Sequence, residues 1–325
     1  MIWEKKGQIF NPAGHYKWMN SHAQVPTPVE FPDYLRVYFV TREDYDADGQ
    51  CRSRGAFVDL DKSDFTRIIR ISEKPVLELG GIGEFDEFGS MPCTVLKIDN
   101  VYYLYYTGWT RSVSTPHKEA IGLAQSRDGE LFKKVGPGPI IADTLWEPYL
   151  HNGPRVYKYN GIYHMFYATG VRWLEGSDRR ETQYVIRHAT SKDGFNWNKC
   201  NEDVIKEKVE FECQNCPTIL YIDGVYHMIF CYRYGLDFRN NKERGYKMGY
   251  AVSTDLVNWK RIDEEVGITL SNSGWDSEMM SYPCTIEIGG KIYMFYCGNQ
   301  FGKEGFGYAE LVHLTSQPGG AELDK

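Results

Sequence analysis

Five prolines, Pro26, Pro92, Pro154, Pro217 and Pro283, each follow a short polar segment, and these segments hold the residues best equipped for chemistry. Five positions before three of the prolines stand Glu87, Glu212 and Glu278, with Asp86, Glu147 and Asp276 close by. Carboxylates gathered at one mouth can supply a proton donor and a base, and their proximity pushes their proton affinities apart. A Glu recurring at one position of a repeat also fits an architectural hydrogen-bonding device. Of the three, Glu212 is the first candidate for proton transfer. Two positions before the prolines stand Gln24, Ser90, Asn152, Asn215 and Ser281, all polar and uncharged. Such groups suit the hydroxyls of a ligand, or satisfy buried backbone.

His22 and His151 lie in the same segments, and an imidazole can pass a proton near neutral pH. Arg187 is placed to pair with an anionic group on a substrate or with a surface carboxylate. Trp109, Trp146 and Trp173 offer flat faces for a sugar ring or for packing. Cys213 and Cys216 form a Cys-x-x-Cys, but no second pair or suitably spaced His accompanies them. They read as structural thiols, and neither a metal nor a cofactor is expected.

Residues this far apart can serve one site only if a repeat gathers them. The prolines are spaced 66, 62, 63 and 66 residues apart by subtraction. After Pro92, Pro154, Pro217 and Pro283 comes a strand, a tight turn of Asp-Asn, Asn-Gly, Asp-Gly or Gly-Gly, and a strand of alternating aromatics. That is a hairpin signature. A third strand and a second motif follow in LAQSRDGELF from Leu123, HATSKDGFNW from His188 and AVSTDLVNWK from Ala251. Four antiparallel strands in about 60 residues make a propeller blade. The predicted fold is an all-β, five-bladed β-propeller, one domain over residues 1–315, with a disordered tail at 316–325. The fifth copy has only three strands, whereas Ile2-Trp3-Glu4-Lys5 resembles the fourth-strand start Asn258-Trp259-Lys260-Arg261. The N-terminal strand is therefore expected to complete the last blade, which removes an exposed sheet edge.

Composition narrows the partners. Aromatic residues make up 15% of the chain, a content that favours strands and sugar contacts alike. With 37 basic against 44 acidic residues and no basic run, nucleic acid is not an expected partner. No apolar stretch approaches the roughly 20 residues that cross a bilayer, and the N-terminus has no signal-peptide pattern. The expected setting is the cytoplasm, away from membranes, with few or no disulfides.

The proline, the Tyr-rich hairpin and the Ala-x-Ser-x-Asp-Gly-x-x-Trp motif together resemble the five-bladed propeller glycosidases of families 43, 32, 62, 68, 117 and 130, over all five copies. The resemblance implies a carbohydrate partner and acidic catalytic residues on the innermost strands. Asn152-Gly153-Pro154 stands where arabinanase-like enzymes have Glu-Gly-Pro and their acid. Trp18-Met19-Asn20-Ser21 is similar to the Trp-Met-Asn-Asp of invertase-like enzymes, with Ser21 in place of the nucleophile. Phe211-Glu212-Cys213 resembles their acid/base Glu-Cys, three residues further from its proline. Family 117 enzymes use a His as acid, which implies such a role for His22 or His151. Three functions follow as expectations: a glycoside hydrolase using Glu212 with a second carboxylate or His; a phosphorylase like those of family 130, for which Arg155, Arg187, Arg233 and Arg239 are available to bind phosphate; or a carbohydrate-binding propeller without catalysis.

Overall fold

The structure, a computed structural model, describes residues 1–47 and 49–314. The predicted tail at 316–325 lies outside them. In chain order the strands are β1 (Ile2–Phe10); β2 (Ser21–Glu30), β3 (Leu35–Arg42), β4 (Ser53–Asp61) and β5 (Asp64–Ile71); β6 (Gly89–Ile98), β7 (Val101–Arg111), β8 (His117–Ser126) and β9 (Lys133–Lys134). Then come β10 (His151–Tyr159), β11 (Ile162–Glu175), β12 (Arg180–Ser191) and β13 (Asn198–Asp203); β14 (Cys213–Ile222), β15 (Val225–Arg233), β16 (Lys247–Ser253) and β17 (Lys260–Arg261); and β18 (Ser281–Ile288), β19 (Lys291–Cys297) and β20 (Phe306–His313). Each group pairs antiparallel in sequence order. The first two groups are joined by a single parallel bridge between Ser53 and Gly89. The N-terminal strand β1 pairs with β20, so the last sheet runs β1-β20-β19-β18, as the sequence predicts.

Local chemistry explains the hairpins. Asn160-Gly161, Asp223-Gly224 and Gly289-Gly290 all have positive φ, the condition for two-residue turns whose twist matches the strands they join. Apolar side chains then alternate outward from each sheet and meet the next one. Leu104, Tyr106 and Ala124 pack on Tyr38 and Phe57 of the preceding group, and Met165 and Ala189 pack on Tyr105 and Leu123. The last group packs on the first through Phe295, Phe306, Phe39 and Ala56. The innermost strands β2, β6, β10, β14 and β18 touch in that order, and β18 also touches β2.

A buried polar device repeats in four of the groups. An acid just ahead of the first strand meets a basic residue from the outermost strand: Asp86 with Lys134 at 2.8 Å, Glu147 with Lys199 at 2.6 Å, Glu212 with Arg261 at 2.7 Å, and Asp276 with Lys5 at 2.7 Å. Tyr106, Tyr167 and Tyr296 of the second strands donate to Asp86, Glu147 and Asp276, while Tyr232 instead lies against the Arg261 guanidinium. These acids are fully buried or nearly so, and each ties the outermost strand to the root of its own sheet.

Candidate functional site

Each inner strand carries a register shift at its proline. In four copies the residue before the proline sits in the left-handed region: Val25 (φ 54), Gly153 (φ 59), Cys216 (φ 46) and Tyr282 (φ 57). For Val, Cys and Tyr this is a strained conformation, held where the backbone must be re-aimed. At Gly153 a Cβ would run into Asn215 Oδ1, so any larger residue would displace the Asn215 side chain. The bulges turn Gln24, Asn152 and Asn215, each one residue earlier, onto the wall of a central cavity of about 190 Å³.

Among the described residues two carboxylates enter that cavity, and the sequence reading singles out neither. Glu119, on β8, accepts from Asn152 Nδ2 at 2.6 Å and lies 3.4 Å from His117 Nε2. Glu181, on β12, accepts from Arg239 at 2.9 and 3.3 Å and lies 3.4 Å from Arg179. Four guanidiniums line the cavity, those of Arg42, Arg179, Arg233 and Arg239. Arg42 donates to Gln24 Oε1 at 3.1 Å. Arg233 is buried against the ring of Phe238 at 3.5 Å, bonds the Tyr184 hydroxyl and the Tyr234 carbonyl, and its Nε has no partner among the described residues. Four positive groups against two negative ones leave the described lining of the cavity with an excess of positive charge. Arg155 is fully buried and, among the described residues, bonds Thr27 Oγ1 and the carbonyls of Cys93 and Pro283, tying three inner strands together.

The other sequence candidates lie elsewhere. Glu212 is fully buried in the repeated device, accepting from Lys208 N, Val209 N, Gln214 and Arg261. Glu87 caps the Gly83 amide at 3.0 Å, and Glu278 is exposed. Trp109 covers Gly89 beside Phe88, and Trp146 is largely exposed. Ser90 and Ser281 are wholly buried, and their hydroxyls have no partner among the described residues.

His151 is enclosed with Glu147 at 3.1 Å, and burial lowers its pKa despite that carboxylate. Burial opposes ionisation of Glu147, but hydrogen bonds from His151, Lys199 and Tyr167 outweigh it and hold the carboxyl down at about 2. Arg187 spends its guanidinium on Asp203 at 3.0 Å and Glu147 at 3.4 Å. His22 is lowered to about 3 by burial and by the charges of Arg42 and Lys303. None of His22, Glu147, His151 and Arg187 lines the cavity. All eight cysteines stand as free thiols, and Cys216 of the Cys-x-x-Cys lines the cavity floor beside Cys93.

Comparison with known proteins gives the setting. No family model matches the chain. The uncharacterized proteins MT1551 and Rv1502 of Mycobacterium tuberculosis are each 34% identical to it over 313 residues, covering 96% of this chain and 99% of theirs. A 1,2-beta-oligomannan phosphorylase of Thermoanaerobacter is 27% identical over 174 residues, about half of each chain (51% and 53%). Among solved structures, a glycoside hydrolase superposes over 99% of this chain and 94% of its own with a TM-score of 0.74 at 18% identity. A family 130 structure, from work on hydrolases of β-1,2 mannosidic linkages, gives 0.70 at 16% over 95% of this chain and 93% of its own. At such identities the likeness establishes the fold, that of the propeller glycoside hydrolases.

Proposed function

We propose that this chain, which belongs to one family with the Mycobacterium tuberculosis proteins MT1551 and Rv1502, is a five-bladed propeller enzyme that cleaves a glycosidic bond in its central cavity. The single domain spans residues 1–315. The observation that carries the reading is the Asn152–Glu119 pair, which sets a carboxylate beside the bulged inner strand of the neighbouring copy. Glu119 donates the proton to the departing oxygen. Asn152 orients it from one side and His117 from the other. Gln24 and Asn215 take sugar hydroxyls.

The mechanism divides on what attacks the anomeric carbon. In hydrolysis a second carboxylate activates water, and Glu181 is the other acid in the cavity. Both of its oxygens already accept from guanidinium N–H groups, however, so it serves first to hold Arg239 and Arg179 in place. That arrangement favours a second reading, in which phosphate held by the arginines attacks as Glu119 protonates the leaving group. Phosphorolysis needs no separate base. The test is product analysis by mass spectrometry on β-1,2-mannobiose and a wider disaccharide panel, with and without phosphate. A free monosaccharide pair supports hydrolysis, and a sugar phosphate supports phosphorolysis. No turnover despite measured binding supports a non-catalytic carbohydrate-binding propeller.

A further inference from the structure

Beside the central cavity lies a second one of about 270 Å³, between the loop joining β7 to β8 and the long β11 strand. The two share His117 and Leu150 as a common wall. Their chemistry differs. The second pocket has two aromatic residues, Trp173 and Tyr149, and three hydroxyl residues, Ser112, Ser114 and Thr115. No arginine or carboxylate is among its described lining residues, and its Lys118 is turned toward Asp143 at 3.5 Å. Trp173 is half-buried, and the imidazole of His117 meets its ring edge-on at 5.9 Å. The same imidazole reaches Glu119 at 3.4 Å on the other side.

We propose that this pocket is a second sugar subsite, which takes a neutral pyranose ring linked to the sugar in the central cavity. The inference rests on the reading of Glu119 as the proton donor. An aromatic face beside hydroxyls suits the apolar face and the rim of an uncharged sugar ring. Charge is sorted between the pockets: the arginine-lined cavity takes the ring whose anomeric carbon is attacked, with the anion where phosphate is the nucleophile, and the aromatic pocket takes the leaving group. The linking oxygen passes over the shared wall, within reach of Glu119. His117 is then a positioning residue, in contact with both the acid and the aromatic floor.

The experiment measures affinity by calorimetry in the Glu119→Gln protein, so that ligands survive. The probes are methyl β-mannoside against β-1,2-mannobiose, and the corresponding methyl glycoside and disaccharide pairs of glucose, galactose and arabinose. The disaccharide of at least one pair binds about tenfold tighter than its methyl glycoside, as expected for one added aromatic contact. Trp173→Ala removes that gain and leaves the methyl glycoside unchanged, and Trp173→Phe restores most of it. Tyr149→Ala, at a partly exposed site, checks the result independently of any folding defect in the Trp173 variants. Equal binding of both members of every pair overturns the proposal, as does a gain that survives both alanine variants, while the central-cavity reading stands. Failure of every probe to bind overturns both.

Discussion

The carboxamide of Asn152, on the innermost strand of one copy, donates to Glu119 Oε2 at 2.6 Å, and Glu119 belongs to the third strand of the copy before it. The resemblance to arabinanase-like enzymes implies a catalytic acid at the position of Asn152. Here the amide holds an acid delivered from the neighbouring sheet.

This relationship predicts the effect of Asn152→Asp. Two carboxyls would share the space now bridged by one hydrogen bond, and like charges at that distance force one of them to keep its proton to higher pH. The alkaline limb of the pH–rate profile, where the proton donor is lost, moves up by about one unit or more, and kcat/KM measured from pH 4 to 8 checks it. An unmoved limb separates Asn152 from the proton-transfer group.

Glu212→Gln should act on stability alone. Replacing this wholly buried carboxylate leaves Arg261 with one ionic partner fewer, and removing one member of a buried pair costs about 3 kcal/mol. Chemical denaturation reads the loss, while sugar affinity stays within experimental error. A large change in affinity with normal stability would place Glu212 in the site.

Stability should fall on the acid side of neutrality. Burial depresses His188 to about 4 and His22 to about 3, both from 6.5. The unfolded chain therefore binds more protons below pH 6.5, and stability present above that pH drains away as pH falls toward the folded values. Glu147, held at about 2 against 4.5, extends the decline below pH 4.5 in the same direction. His188 stacks on Phe166 at 4.3 Å and shares a 3.0 Å hydrogen bond with His164. In His188→Gln the slope between pH 6.5 and 4 becomes shallower by up to about 1.4 kcal/mol per pH unit. Thermal melts at pH 7, 6 and 5 check this, and parallel slopes for the two proteins would contradict it.

Gly153→Ala should damage the site through the backbone. The new methyl meets Asn215 Oδ1 in a residue already at φ 59, so Asn215 must leave the cavity wall. The melting temperature falls by several degrees, and sugar binding weakens more than it does for Asn215→Ala. Equal weakening would mean that only the Asn215 side chain matters.

The sheet architecture was readable because the turn residues and the prolines recur at nearly constant spacing, and each does a job that few residues can. The polar positions two before the prolines could be read partway, since the bulge presents Gln24, Asn152 and Asn215 to the cavity but leaves Ser90 and Ser281 walled in. The acids were mis-phased. Counting five back from each proline aligns Glu87, Glu212 and Glu278, yet the buried acids that share a role stand at 6, 7, 5 and 7 by subtraction: Asp86, Glu147, Glu212 and Asp276. The loops ahead of the inner strands differ in length, and the match to a basic residue of the outermost strand appears only in three dimensions. Glu119 and Glu181 left no periodic trace. Counted from the serine that closes each third strand, Glu119 is 7 residues before Ser126 and Glu181 is 10 before Ser191. The two strands that carry them, of 10 and 12 residues, outrun the 7-residue β16, a difference that the structure shows and the motif spacing does not.

The most direct test compares Glu119→Gln with Glu212→Gln on whichever disaccharide the wild-type protein cleaves, following product by mass spectrometry alongside the melting temperature. Loss of turnover by a factor of about 10² to 10⁴ in Glu119→Gln at unchanged melting temperature, with turnover retained in folded Glu212→Gln, is the predicted result. Full turnover in Glu119→Gln, or its loss in a folded Glu212→Gln, would contradict the assignment of proton transfer to the central cavity.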